Sequence, residues 1–273
     1  MLKFLKKKKI AAVAAGFLAL MVLCALFAPL IVPFDPNAVD LDQVSRSPNR
    51  GHFFGTDEKG RDVFSRVLYG ARISLLIGVA ATAVSLLIGG AVGLAGGYFS
   101  GPLDSFFQMV TDITLAFPGL LLAIGITIVL PPGFFSVLVA LSLVGWSSIA
   151  RVIRGEALSL KQREFVEAGR AGGASHLRVM VRHILPNCLP LILVVASLKV
   201  GSFILAESAL SFLDLGVRPP SAAWGFMISA GREYLKIAPW MTFFPGLALA
   251  LTVIACNLLG DAARDYLDPR LEM

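Results

Sequence analysis

The chain is organised by long uncharged runs that alternate with short segments rich in charged residues. A helix needs about 20 apolar residues, within a range of about 17–25, to cross the hydrocarbon core of a bilayer. The pattern predicts spanning helices within five runs, which cover residues 10–32, 73–103, 106–130, 134–150 and 239–260. Pro131-Pro132, followed by Gly133, separates the third run from the fourth.

A sixth run, residues 189–213, contains Lys199 and Glu207. A charge at the bilayer centre costs about 3 kcal/mol on insertion scales, which the surrounding apolar residues can offset within a helix bundle. We therefore predict an all-α protein with six transmembrane helices. It divides into an N-terminal part, residues 1–72, and a five-helix core, residues 73–273.

Composition supports a membrane protein. Hydrophobic residues make up 56% of the chain and charged residues 15%, whereas soluble domains average about 25% charged residues. Collagen-like, disordered and disulfide-rich classes are excluded, because glycine and proline show no period and the three cysteines are scattered. The cysteines have no metal-ligand spacing, so packing roles are expected for them.

The net charge of +6 owes much to five lysines, at positions 3 and 6–9, that precede the first apolar run. Residues 10–34 form a run too long for the core of a signal peptide, which is about 7–15 residues. The positive-inside rule places this lysine head in the cytoplasm, and six spans then return the C-terminus to the same side. Segment 151–188, with seven lysines and arginines, falls on the cytoplasmic side in this topology.

Segment 151–188 has the periodicity of two short amphipathic helices. One has Phe165, Ala168, Gly169 and Gly172 on a single face, and a second spans residues 177–184. Gly172-Gly173 is expected to end the first helix, Ser175 to cap the second, and Pro186 to end it. A face of small residues flanked by charges suits docking against another protein. The alternative is a solvated basic loop that only fixes topology.

Glycines elsewhere indicate packing and turns. Gly89, Gly93 and Gly97 recur at helical spacing, which predicts close helix contact. Gly55, Gly60 and Gly70 are expected to form turns outside the membrane, beside a polar network of Asp57, Arg61 and Asp62. Segment 214–238, with Trp224, is a candidate landing surface for a soluble partner.

Asp112, Lys199 and Glu207 are ionisable residues within predicted spans. They are candidate positions on a translocation path, or a proton relay in a carrier that acts alone. The alternative is that each finds a partner on a neighbouring helix. An enzyme is disfavoured because His52, His176 and His183 all lie outside the spans, without an H-E-x-x-H motif or a carboxylate partner at ligand spacing. The chain has no G-x4-G-K-[ST] loop, so any nucleotide must be bound elsewhere.

Glu167-Ala168-Gly169, Gly173 and Leu185-Pro186 resemble the EAA loop of ABC-importer permeases, E-A-A-x3-G-x9-I-x-L-P. Two positions depart from that pattern: Gly169 replaces the third-position Ala, and His183 replaces Ile.

A second resemblance covers nearly the whole chain. Segment 55–72 is similar to the signature of C-type permeases of dipeptide, oligopeptide and nickel importers. Further similar segments are 206–216, 219–225, 245–246, 257–261 and Asp268-Pro269-Arg270.

The resemblance implies a type I ABC-importer permease that pairs with a homologous second permease. It also implies two ATP-binding subunits, which hold ATP and Mg, and an extracytoplasmic substrate-binding protein, with no cofactor in this chain. The implied ATPase-coupling residues are Glu164, Glu167, Ala168, Gly169, Gly173, Leu185 and Pro186. Peptides are the expected cargo, and nickel or another small solute is the alternative. A stand-alone ion-coupled carrier is the rival class, which would need no ATP.

Overall fold

The computed structural model describes residues 2–267, with side chains from residue 9 to residue 266. Most of the lysine head and Asp268-Pro269-Arg270 therefore lie outside the side chains described. Within those residues the chain is helical and forms no strand beyond a single isolated bridge, between Thr56 and Asp62. The helices are α1 (Leu2–Ile31), α2 (Val63–Phe99), α3 (Pro102–Ala116), α4 (Gly119–Val129), α5 (Phe134–Lys161), α6 (Glu164–Ala171), α7 (His176–Val179), α8 (Leu185–Phe212), α9 (Trp224–Gly231) and α10 (Trp240–Leu267).

Five continuous helical stretches are long and apolar enough to cross a membrane: 9–31 in α1, 63–99 in α2, 134–161 in α5, 176–212 ending in α8, and 240–266 in α10. The sixth span is not one helix. The predicted span 106–130 is instead the pair α3 and α4, which meet at an angle of 89°. The bundle therefore has five continuous spans and one broken segment among the described residues.

Pro118 explains the break between α3 and α4. Phe117, the residue before it, is extended, with φ −89° and ψ 139°. A proline disfavours helical conformation in the preceding residue and cannot donate a backbone hydrogen bond. Because Gly119 follows immediately, the chain can turn sharply before α4 begins. The prediction of one continuous span is wrong at this Phe-Pro-Gly sequence.

Helix α2 begins at Val63 and not at residue 73, so the predicted boundary at 72/73 lies inside it. Asp62 caps the helix by accepting a hydrogen bond from the Ser65 amide at 2.8 Å. Arg66, whose charge favours a loop in the sequence pattern, is buried and donates to the Pro36 carbonyl at 2.8 Å. Tertiary contacts thus allow a charged first turn within a long helix.

Glycines hold α2 against α5. A Cβ at Gly89 would lie 2.5 Å from the Trp146 carbonyl oxygen, and one at Gly93 would lie 2.5 Å from that of Ala150. The backbones approach so closely that no larger residue fits without displacing a helix. The predicted close packing of this glycine row is confirmed, and α2 and α5 form a tightly joined pair.

The end of the bundle that carries residues 33–62 and 214–238 is held by buried polar contacts. Asp57 accepts from Arg61 Nε at 2.6 Å, and Asp62 Oδ1 lies 2.9 Å from His52 Nδ1. Gly55 and Gly60 both have φ of +73° and form the predicted turns. The predicted polar network is confirmed for Asp57 and Arg61, whereas the side chain of Asp62 is hydrogen-bonded to His52 and Ser65.

One prediction for this end was wrong, and the candidate landing surface, segment 214–238, stays a prediction without Trp224. Gly70 is not in a turn, because it lies inside α2, where a Cβ would meet the Trp224 side chain at 2.9 Å. Trp224 is fully buried, and its Nε1 donates to the Val67 carbonyl at 2.9 Å. The indole therefore anchors α9 to α2 and is not available as a surface for a partner.

Candidate coupling unit and translocation path

Helix α6 lies at the end of the bundle where α2 and α5 end, opposite the end that carries residues 33–62. Val166 is its buried side chain, and it packs with Ala157 and Leu160 of α5 and with Val179 and Ile184 beyond α6. Glu164, Glu167 and Ala168 are exposed. We call residues 164–184 the α6–α7 unit. Helix α6 is anchored through one apolar residue and presents acidic and small residues outward.

The C-terminus of α6 is a Schellman motif. The Gly173 amide donates to the Arg170 carbonyl at 2.9 Å, and the Ala174 amide donates to the Gly169 carbonyl at 3.1 Å. Gly173 has φ of +77°, the left-handed conformation that this motif requires and that glycine adopts without strain. Ser175 then caps α7 by accepting from the Arg178 amide. The predicted glycine stop and serine cap are both present.

The second helix of the unit does not end at Pro186, as the sequence predicted. Residues Met180–Ile184 form a π-helical turn that leads directly into α8. The Leu185 amide donates to the Met180 carbonyl, and Pro186 follows this turn as the second residue of α8. The wider turn lets the helix pass the proline. The α6–α7 unit is consequently continuous with a membrane-spanning helix.

The predicted coupling residues do not all share one surface. Gly169 lies against the imidazole of His183, and Gly173 is exposed at the turn. Leu185 is half-buried and Pro186 is exposed at the start of α8. The freely accessible part of the predicted set on α6 is Glu164, Glu167 and Ala168.

Two ion pairs join α3 to α5 near the α6–α7 unit. Arg154 Nε and Nη2 each donate to Asp104 at 2.6 Å, in a bidentate and largely buried pair. Asp112 lies about two helical turns farther along α3. It pairs with Arg151, and both of these side chains are more than half exposed. Asp112 therefore has a partner on a neighbouring helix and also borders open space.

Glu207 is completely buried in this chain. Its carboxylate accepts from Ser74 of α2 at 3.0 Å and from Ser211 at 2.7 Å, and Ser208 lies at 3.3 Å. The side chain joins α8 to α2 and is enclosed by serine hydroxyls. Its alternative role as a structural partner between helices is the one that the geometry favours.

Lys199 is half-buried in α8, and its Nζ lies 5.9 Å from the centroid of the Phe203 ring. No carboxylate among the described side chains is within salt-bridge distance of it. A cation in a spanning helix without a counter-ion is suited to meeting an anion from outside the chain.

The sequence did not identify Val166 or Tyr98, which hold the α6–α7 unit against the bundle. Tyr98, in the last turn of α2, is 3% exposed and its Oη lies 2.9 Å from His176 Nδ1. Val166 could have been predicted as an anchor, because it is an apolar residue in a helix of mostly polar and small residues. The contact of Tyr98 with His176 could not, because no local pattern connects two residues so far apart in the sequence.

A family model described as the inner membrane component of binding-protein-dependent transport systems matches residues 85–273. A second model, the N-terminal transmembrane domain of oligopeptide transport permease C, matches residues 1–48.

Relatives are similar over nearly the full chain. A Brucella abortus protein named as a permease of a peptide transport system is 43% identical, over 94% of this chain and 86% of its own. The glutathione transport system permease protein GsiD of Escherichia coli is 42% identical, over 98% and 88%. GsiD of Pectobacterium atrosepticum is 41% identical, over 96% and 87%.

An inward-facing structure of the MetNI methionine ABC transporter contains a chain with the same fold. Its TM-score is 0.61 at 16% identity, covering 74% of this chain and 96% of that chain. The chain has apolar helices long enough to span a bilayer. These helices and the matches agree with the resemblance based on the EAA-like and C-type segments. The chain belongs to the family of inner membrane components of binding-protein-dependent transport systems and is a multi-pass permease subunit of an ABC importer.

Proposed function

We propose that this subunit carries di- or oligopeptides into the cell. The relatives described above are named for peptide and glutathione transport, which supports peptides over the alternative cargo, nickel or another small solute. The importer would consist of this chain, a homologous second permease, two ATP-binding subunits and an extracytoplasmic binding protein. ATP and Mg would be held by the ATP-binding subunits, where hydrolysis takes place.

The exposed face of α6 is the proposed contact with an ATP-binding subunit. The observation that carries this assignment is the combination of a buried anchor, Val166, with outward Glu164, Glu167 and Ala168 on a firmly capped helix. An exposed short helix with a rigid base suits insertion into a groove on a partner. A loop that only set topology would need neither the anchor nor the Schellman cap.

The end of the bundle that carries the α6–α7 unit, together with both chain termini, would lie in the cytoplasm. The support is the excess of lysine and arginine in segment 151–188 and the lysine head. Residues 33–62 and 214–238 would then face the binding protein. This orientation puts α6 on the side where ATP is available.

Movement of α6 would reach the membrane through two continuous helices. Helix α5 runs from Phe134 to Lys161 and ends three residues before α6, while α8 continues from the π turn to Phe212. Closure of the ATP-binding subunits would therefore tilt α5 and α8 together. Tilting of packed helices between two arrangements is a common route to alternating access.

Lys199 and Asp112 are the proposed contacts with cargo or with water along the path. Lys199 has no counter-ion among the described side chains, and Asp112 borders open space beside Arg151. Glu207 is better suited to holding α8 against α2, because it is enclosed by serine hydroxyls.

Cysteine cross-linking tests the contact with the ATP-binding subunit. Ala168→Cys is introduced into the assembled importer after Cys24, Cys188 and Cys256 are replaced, with Ala38→Cys as the control, since Ala38 is exposed at the opposite end. We expect position 168, and not position 38, to cross-link to an ATP-binding subunit. Cross-linking of 168 to the binding protein, or to nothing, would refute the assignment.

Uptake in proteoliposomes tests the cargo. Labelled dipeptide should accumulate only with ATP, both permeases and the binding protein, while labelled nickel should not. Accumulation of nickel in place of peptide would assign the alternative cargo. Uptake driven by an ion gradient without ATP would instead identify a carrier that acts alone.

A further inference from the structure

Tyr98 and its neighbour Phe99 bring α2 against the α6–α7 unit, and the Phe99 ring centroid lies 5.8 Å from that of His176. The Tyr98 ring is buried beneath that unit, with the Cζ atom of Arg170, from α6, 5.0 Å from the ring centroid. Lys161 Nζ, from the end of α5, lies 5.9 Å from the same centroid. The hydroxyl is hydrogen-bonded to His176, the first residue of α7. One side chain of α2 thus contacts three separate elements.

Filling space does not account for these contacts. The apolar part of this cluster is supplied by residues such as Val166, Val179 and Ile184, to which any apolar side chain at position 98 would add. What only a tyrosine provides is an aromatic face for two cations and a hydroxyl for an imidazole. The His176 ring also packs edge-on against Tyr98, at 5.7 Å between centroids.

The location of Tyr98 matters because α2 does not adjoin the α6–α7 unit in the sequence. That unit is joined through the chain only to α5 and α8. Helix α2 nevertheless packs along α5 through the glycine row. Gly97 continues this contact next to Tyr98, because a Cβ at position 97 would lie 2.8 Å from the Arg154 carbonyl oxygen. The Tyr98 ring of α2 therefore contacts both α5 and α6, and the three helices meet at this residue.

We propose that Tyr98 is a positioning residue that transmits motion of the α6–α7 unit to α2. The inference rests on the proposed role of α6 as the contact with an ATP-binding subunit. When α6 is displaced, the cations and the imidazole around the ring carry α2 with it, so the α2–α5 pair moves as one body. Without the ring, α6 moves relative to α2, and ATP hydrolysis continues with less transport per ATP.

The experiment measures peptide taken up per ATP hydrolysed by the complete importer in proteoliposomes. In Tyr98→Leu we expect this ratio to fall about fivefold, the change expected from losing on the order of two cation–π contacts. Tyr98→Phe keeps the ring contacts and loses only the hydrogen bond to His176, so we expect a fall of about twofold. If Tyr98→Leu fails to assemble, Tyr98→Phe alone decides, and an unchanged ratio in it overturns the proposal.

Tyr69→Leu is the matched control. Tyr69 lies at the other end of the same helix and also contacts a cation, with Arg72 Cζ 5.6 Å from its ring centroid. We expect its ratio to equal that of the unaltered importer. A fall as large as that of Tyr98→Leu would show that the loss of any such contact in α2 reduces coupling, which overturns a specific role for Tyr98.

The Ala168→Cys cross-link, measured in the Tyr98 variants, distinguishes the role of Tyr98 from the docking of α6 on an ATP-binding subunit. If the cross-link to an ATP-binding subunit persists while the ratio falls, Tyr98 acts after docking, as proposed. If the cross-link persists and the ratio is unchanged, the role of Tyr98 is refuted and docking stands. If the unaltered importer gives no cross-link, docking itself is refuted.

Discussion

Gly169 of α6 lies against the imidazole of His183 in the π turn, and a Cβ built at position 169 would be 3.3 Å from His183 Nε2. These are the two positions at which the chain departs from the EAA pattern. The departures are therefore in direct contact with each other. The missing methyl group leaves room for the ring, so the two substitutions are complementary in volume.

We expect Gly169→Ala and His183→Ala to be non-additive. Alanine is favoured over glycine in helices by about 1 kcal/mol, but in the unaltered chain the new methyl group is crowded by the imidazole. In the His183→Ala background the same substitution should stabilise α6 by about 0.5–1 kcal/mol more. Hydrogen exchange of residues 164–171 in the assembled importer measures each step. Equal effects of Gly169→Ala in the two backgrounds would contradict the contact.

Gly173→Ala should loosen the end of α6. Its left-handed φ of +77° costs a residue with a Cβ about 1–2 kcal/mol, so the Schellman hydrogen bonds should weaken. Gly172→Ala is the control, because Gly172 has φ of −73° and its Cβ would be no closer than 3.4 Å to its neighbours. Faster amide exchange at residues 170–174 is expected in the first variant only, and equally slow exchange in both would refute the argument.

The two ion pairs between α3 and α5 should differ in importance. Asp104→Asn breaks a buried bidentate pair with Arg154 and should destabilise the complex by on the order of 2–3 kcal/mol. Asp112→Asn breaks an exposed pair with Arg151, worth about 0–1 kcal/mol. Thermal unfolding of the purified complex, in detergent, measures both. A larger loss in Asp112→Asn than in Asp104→Asn would be the contrary result.

Glu207 should tolerate glutamine better than leucine. Glutamine keeps polar atoms facing the hydroxyls of Ser74 and Ser211, whereas Glu207→Leu leaves these buried hydroxyls without their acceptor. Each unsatisfied buried group costs about 1–3 kcal/mol. We expect Glu207→Leu to lower the thermal midpoint of the complex well below that of Glu207→Gln. Similar midpoints for the two variants would mean that the serine contacts contribute little.

The sequence predicts α6, its glycine stop and the serine cap, because these depend on residues next to one another. It predicts helix boundaries less well where charges are involved. The charges of Arg66 and Arg72 favour a loop over residues 63–72, and those of Arg151 and Arg154 favour an earlier end to α5. In the structure, Arg66, Arg151 and Arg154 are all paired with groups on other segments, so their charges do not prevent a helix.

The sequence also predicts helix boundaries wrongly at two prolines. Pro118 breaks a run that the sequence predicts as one span, whereas Pro186 is predicted to end a helix and does not. The difference lies in the residues before them. Phe117 adopts the extended conformation, while Met180–Ile184 widen into a π turn that removes the clash. Choosing between these outcomes requires the packing of the whole unit around Val166, which local sequence does not contain.

Lys199 should affect acidic cargo most. If its ammonium meets a carboxylate on the path, Lys199→Ala should lower uptake of an acidic dipeptide about tenfold more than uptake of a neutral one, a difference of about 1.4 kcal/mol. Lys199→Arg keeps the charge and should restore most of the uptake. Ser202→Ala is the control on the same helix, because Ser202 is exposed and its hydroxyl donates to the Leu198 carbonyl of its own helix. Unchanged uptake of both dipeptides in Lys199→Ala would mean that the cation, held over the Phe203 ring, serves packing and not recognition.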